Sequence, residues 1–168
     1  MSEGQPSTSM DGTLRARYLR MLDRGGWYET VVFGEADPLP NYSLVLEAQR
    51  LVLLDLRHQA GRGELVALRD TLQRDLRFWR MVLASADGLI GKMIAVAAIR
   101  NHFILANLAL HELPAANVTE AVPAEWQRPL SDAERSMWRA MAGEYQFAKR
   151  LLREARVQPE DGDEAGGI

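Results

Sequence analysis

Apolar residues recur every three or four positions along most of this chain, and the runs that keep that rhythm predict five helices. Leu14, Tyr18, Met21 and Leu22 set the first, with Asp11 as N-cap and Gly25-Gly26 as its end. Leu44, Val45, Ala48, Leu51, Val52 and Leu56 set the second, which opens at Ser43 and reaches Gln59. The third spans Glu64 to Ala84, with Leu65, Leu68, Leu72, Leu76, Trp79 and Leu83 on one stripe. Gly61-Arg62-Gly63 between them is too short for anything but a tight turn, so these two helices form an antiparallel hairpin. Arg69, Gln73, Arg74, Arg77 and Arg80 fall off the stripe and predict a solvated basic face, with Asp70 and Arg74 as an i,i+4 pair.

The fourth helix, Leu89 to His111 with Asp87 as N-cap, is apolar around most of its circumference. Such a helix is expected to be enclosed by its neighbours, and Ala95, Ala97, Ala98, Ala106 and Ala109 would let them come close. Its length would suit a bilayer. However, Lys92 and Arg100 within it would each cost about 2.5–3.5 kcal/mol in hydrocarbon, which favours the core of a soluble bundle. The fifth helix opens at the capping box Ser131-Asp-Ala-Glu134 and runs to Arg156. Met137, Met141, Tyr145, Ala148 and Leu152 are assigned to its inner face.

The rhythm fails twice. Trp27 to Tyr42 carries an aromatic knot, with a short strand at Thr30 to Phe33 as one reading, and then Asp37-Pro-Leu-Pro-Asn41. Leu113 to Pro129 carries Pro114, Pro123 and Pro129, with Trp126 packing back on the core. The expected fold is therefore all-α: a compact bundle of about five helices with two proline-rich connections. A short helical-hairpin array is the alternative. Residues 1–10 read as a flexible tail, 11–156 as one helical domain, and 157–168 as a disordered acidic, glycine-rich tail.

Composition removes several function classes. The chain has 168 residues and a net charge of −3, which gives no concentrated positive field for nucleic acid or anionic lipid. It has no cysteine, so disulfides, thiolate nucleophiles and thiolate metal sites are excluded. The three histidines, His58, His102 and His111, form no paired metal-ligand spacing. Asp55-x-x-His58 has half the spacing of a di-iron site, but no second half exists. Gly88-Leu-Ile-Gly91-Lys92 lacks the spacing of a phosphate loop. No metal or cofactor is expected.

One polar line remains. At about 100° per residue, Lys92, Arg100, Asn107 and His111 share one sector of the fourth helix. The plain reading is a solvated face, or pairing with Asp55, Asp70 or Asp75. The sharper one is a basic groove for an anionic ligand or a partner. His102 falls on the opposite side and reads as a core histidine with one satisfied nitrogen. The four tryptophans, Trp27, Trp79, Trp126 and Trp138, read as core or cover residues, with aromatic anchors at an interface as the alternative.

Leu89-Ile-Gly-Lys-Met-Ile-Ala-Val-Ala-Ala-Ile-Arg100 resembles a segment in a group of uncharacterised bacterial proteins. Arg17-Tyr18-Leu, Pro38-Leu-Pro40 and Leu46-Glu-Ala-Gln-Arg50 are similar in order and spacing, so the resemblance covers Leu14 to Leu113. It implies a soluble region that follows an N-terminal membrane anchor, on the periplasmic side of the inner membrane, with this chain an excised piece. Without it, the chain reads as cytoplasmic. The resemblance implies no activity.

The expected function is a non-catalytic interaction or structural domain that binds a protein partner, envelope-associated if the resemblance holds, with homo-oligomerisation open to it. A binding domain for a small or lipid-like ligand in an apolar cavity between helices is the alternative, as is an immunity-type inhibitor of another protein. An enzyme is the least expected reading.

Overall fold

A computed structural model describes residues 7–27 and 41–157. The helices are α1 (Ser7–Leu22), α2 (Tyr42–Gly61), α3 (Leu65–Ser85), α4 (Leu89–Leu110), α5 (Ala115–Ala121), α6 (Asp132–Arg135) and α7 (Trp138–Val157), with a 3-10 turn at Ala124–Gln127. No strand occurs among the described residues, and the fold is an all-α helical bundle. The strand reading at Thr30 to Phe33 and most of the terminal tails lie outside the described residues.

The hairpin of α2 and α3 forms where its turn residues place it. Gly63 takes φ 72°, the left-handed conformation that glycine adopts freely. Its N–H and that of Glu64 then satisfy the last carbonyls of α2, at Ala60 and Gln59. Asn41, rather than a residue of the helix itself, caps α2 by accepting from the Leu44 N–H at 3.1 Å.

α3 is the hub, in contact with α1, α2, α4, α5, the 3-10 turn and α6. Its apolar side feeds two core clusters. Trp79, Phe78 and Val82 pack with Tyr18 and Val52 at one end. Leu68 and Leu72 pack with Leu53, Leu56 and Ala121 at the other. Ala95, Ala98, Ala106 and Ala109 of α4 are fully buried, and their small size brings α4 against the α2–α3 hairpin.

Four expectations need correction. α1 begins at Ser7, so Asp11 lies inside it and caps nothing. The second connection is not irregular throughout, because α5 and the 3-10 turn form within it and fold onto α3. The last helix is two helices: Ser136 turns extended after α6, and its hydroxyl accepts from the Trp138 N–H at 3.2 Å to start α7. Finally, α4 is not enclosed. It packs on α2 and α3, while Ile90, Met93, Val96, Phe103, Ile104 and Leu108 stay exposed. It is the one helix among the described residues long and apolar enough to cross a membrane.

α7 also turns a different face inward. Ala140 is buried, and Gly143, Phe147 and Leu151 are part-buried beside it, whereas Met141, Tyr145, Ala148 and Leu152 point to solvent and Trp138 is 82% exposed. Gly143 explains the choice. A methyl group there would lie 1.7 Å from the Asp87 carbonyl oxygen, so only glycine permits this approach. Arg139 pairs with Asp87 at 2.5 Å on the same contact. Glu144 accepts from the Leu89 N–H at 2.8 Å, so the cap of α4 comes from α7, and Gly88 holds the N-cap position expected for Asp87.

Candidate functional site

Three side chains that read separately in sequence meet in the core. Tyr18 on α1 donates to Asp75 Oδ1 on α3. His102 Nδ1 lies 2.8 Å from Asp75 Oδ2, and Gln49 Nε2 donates to the same carboxylate at 3.2 Å and to the Ala98 carbonyl at 3.0 Å. Indoles close both ends: Trp79 Nε1 donates to the Tyr18 hydroxyl and Trp126 Nε1 to His102 Nε2, each at 2.8 Å.

The hydrogens follow from the partners. An indole nitrogen only donates, so His102 Nε2 must accept, and the imidazole is neutral with its proton on Nδ1. Asp75 therefore receives three neutral donors and no cation. Burial and the nearby Asp75 charge push the Tyr18 hydroxyl well above its usual pKa of 10. Asp75, His102 and Gln49 are fully buried, so this group orders the core and offers no surface to a ligand. The histidine is satisfied on both nitrogens, where the sequence suggested one.

A second buried charge sits farther along α3. Arg80, assigned to the solvated strip by its spacing, is 4% exposed. Its guanidinium meets Glu134 at 2.5 and 3.0 Å and donates to the carbonyls of Arg128 (2.7 Å) and Pro129 (2.6 Å). Glu125 lies 3.5 Å away. The Arg80 contact and the Ser131 capping box hold the Glu134 carboxyl down at a pKa of about 2. Arg74, the predicted partner of Asp70, instead pairs with Asp23 at 2.6 Å.

The four residues on the polar line of α4 divide. Lys92 is buried, and its ammonium donates to the carbonyls of Glu134 and Ser136. Burial pushes its pKa down. Its partners are the carbonyls at the α6–α7 break, not Asp55, Asp70 or Asp75. Lys92 therefore leaves the binding site expected for it. Arg100, Asn107 and His111 remain exposed together. None of the three sits in a groove of charge. They interrupt the exposed apolar stripe of Ile90, Met93, Val96, Phe103, Ile104 and Leu108. Phe103 leads inward, in ring contact with Trp126 at 5.2 Å and with His102 at 5.2 Å.

The Asp55-x-x-His58 pair builds nothing further. Asp55 meets Arg15 at 3.4 Å, and His58 lines a shallow surface pocket with Leu54, Arg57 and Glu112. Among the described residues no group of three acids or histidines converges as metal ligands would.

The outward side of α4 is thus the candidate site, a surface of large apolar groups interrupted by one arginine, one asparagine and one histidine. Comparison with family models, with curated proteins and with solved structures found no match for this chain.

Proposed function

We propose that this chain is a non-catalytic docking domain that binds a protein partner along the outward face of α4. The observation that carries this reading is the row of six large apolar side chains, each 42–69% exposed, on a helix whose other faces are packed. Solvated helices normally place charge there, and apolar rows of this length mark contact surfaces. Arg100 within the row supports a protein rather than lipid tails. Arginine is enriched at protein interfaces, whereas in hydrocarbon it costs about 2.5–3.5 kcal/mol. The resemblance of Leu89 to Arg100 to bacterial envelope-side proteins supports placing the partner at the envelope.

A photoreactive amino acid at Met93 or Ile104, activated in the native cells, tests this. The expected result is one protein adduct from both positions and none from Val66, an exposed apolar control on α3. Adducts to lipid alone, or equal labelling from Val66, would overturn it.

A further inference from the structure

Away from α4, the end of α1 borders a cavity of about 570 Å³. Its described lining combines Arg17, Arg20 and Arg24 with Met21, Trp27 and Phe78. Trp27 and Phe78 meet edge to face at 6.1 Å and give it an aromatic wall.

The arginines are set apart by their convergence on one concavity. Eleven of the eighteen arginines are ion-paired, and of the other seven, Arg77, Arg100, Arg153 and Arg156 are spread over other helices while Arg17, Arg20 and Arg24 line this one cavity. Among the described residues Arg17, Arg20 and Arg24 have no acidic partner, although the chain as a whole is acidic. The acid nearest in sequence, Asp23, is drawn away to Arg74, which is also tied to the Leu19 carbonyl at 3.0 Å. Three positive charges are therefore left around one concavity. Arg20 on the last turn of α1 and Arg24 just beyond it lie at the negative end of the helix, which favours cations there and accounts for part of the clustering. It does not account for the aromatic wall or the absence of acids.

We infer that this pocket binds a small phosphorylated molecule carrying a flat ring, of mononucleotide size. Guanidinium forks match phosphate oxygens in pairs, and the aromatic wall takes the ring. The volume lies within the roughly 300–1,000 Å³ usual for such ligands. This site is independent of the docking face on α4.

Calorimetric titration of the full chain with adenosine diphosphate, pyrophosphate and adenosine at low salt tests it. The diphosphate should bind at least about tenfold more tightly than either fragment, a difference of about 1.4 kcal/mol, and should weaken as salt rises. Arg20→Gln with Arg24→Gln should weaken it about tenfold or more at unchanged melting temperature. Trp27→Leu should bring the diphosphate down to the level of pyrophosphate. Equal binding of diphosphate and pyrophosphate to the wild-type chain would leave only charge attraction and overturn the inference. So would indifference to the arginine substitutions. Absence of diphosphate binding to the wild-type chain would also overturn the inference.

Discussion

Two charges are buried on α3, Asp75 and Arg80, and they are accommodated in opposite ways. Asp75 is an anion among neutral donors, so its charge is spread over hydrogen bonds and never cancelled. Arg80 is a cation held against two carboxylates and three backbone carbonyls, so its charge is met directly. The first arrangement joins α1, α2, α3 and α4 at the centre of the bundle. The second fastens the chain between the 3-10 turn and α6 onto α3. A bundle can therefore hold a charge deep inside without a counter-ion where its helices already converge. A connection with little apolar area of its own needs the stronger ionic tie.

Removing the cation tests the contrast most severely. Arg80→Met removes the buried partner of Glu134 and Glu125, leaving them the half-exposed Arg128 and the Ser131 cap, and should cost about 3–5 kcal/mol in denaturant unfolding. Adding Glu134→Gln to Arg80→Met should recover part of that loss, because one stranded charge is gone. A double variant no more stable than the single one would mean that Arg80 acts by filling space.

Asp75→Asn should cost less, about 1–3 kcal/mol, since it removes the charge, turns one acceptor into a donor and leaves the cavity filled. Urea titration of the variant measures this. A loss matching that of Arg80→Met would erase the distinction between the two sites.

The smallest effects appear in pH dependence, where the two regions titrate at opposite extremes. Glu134 is held at about 2 against an ordinary 4.5, so its contribution is complete above pH 4.5 and is lost as pH falls toward 2. Tyr18 is raised above 10, so its contribution is complete below pH 10 and is lost as pH climbs through the folded value. Tyr18→Phe should cost about 1 kcal/mol at neutral pH and flatten the alkaline limb, leaving the acid limb unchanged. Thermal melts across pH separate the limbs. A flattened acid limb in Tyr18→Phe would show the regions to be coupled.

Much of the frame was legible because it is written locally. The turn at Gly61 to Gly63, the apolar stripe of α3 and the Ser131–Glu134 capping box each depend on residues within a few positions of one another. What escaped is set by distance. Tyr18, Asp75 and His102 are 57 and 27 residues apart, and nothing in their neighbourhoods marks them as partners. Arg80 shares the spacing of a solvated arginine and is buried only because Glu134 arrives from 54 residues away. The break between α6 and α7 stabilised by Lys92, a residue of another helix, has no local signal beyond Ser136. The face of α7 escapes periodicity because its apolar side is broad, and only the contact of Gly143 with Asp87 decides which edge of that side packs. Within the candidate site, the apolar stripe of α4 was legible as residues and illegible as a surface, since helix periodicity does not say which neighbours will be missing.

The indoles at the two ends of the central network give it a direction. From Trp79 through Tyr18, and from Trp126 through His102, each hydrogen points toward Asp75. Two lines of hydrogen bonds run inward and stop at one carboxylate. A proton reaching Asp75 has no onward acceptor among these partners, and neither indole can take one up at its nitrogen. A tyrosine, an aspartate and a histidine in contact would elsewhere make a conduit. Here they make a sink, whose orientation cannot be reversed without rotating a tryptophan.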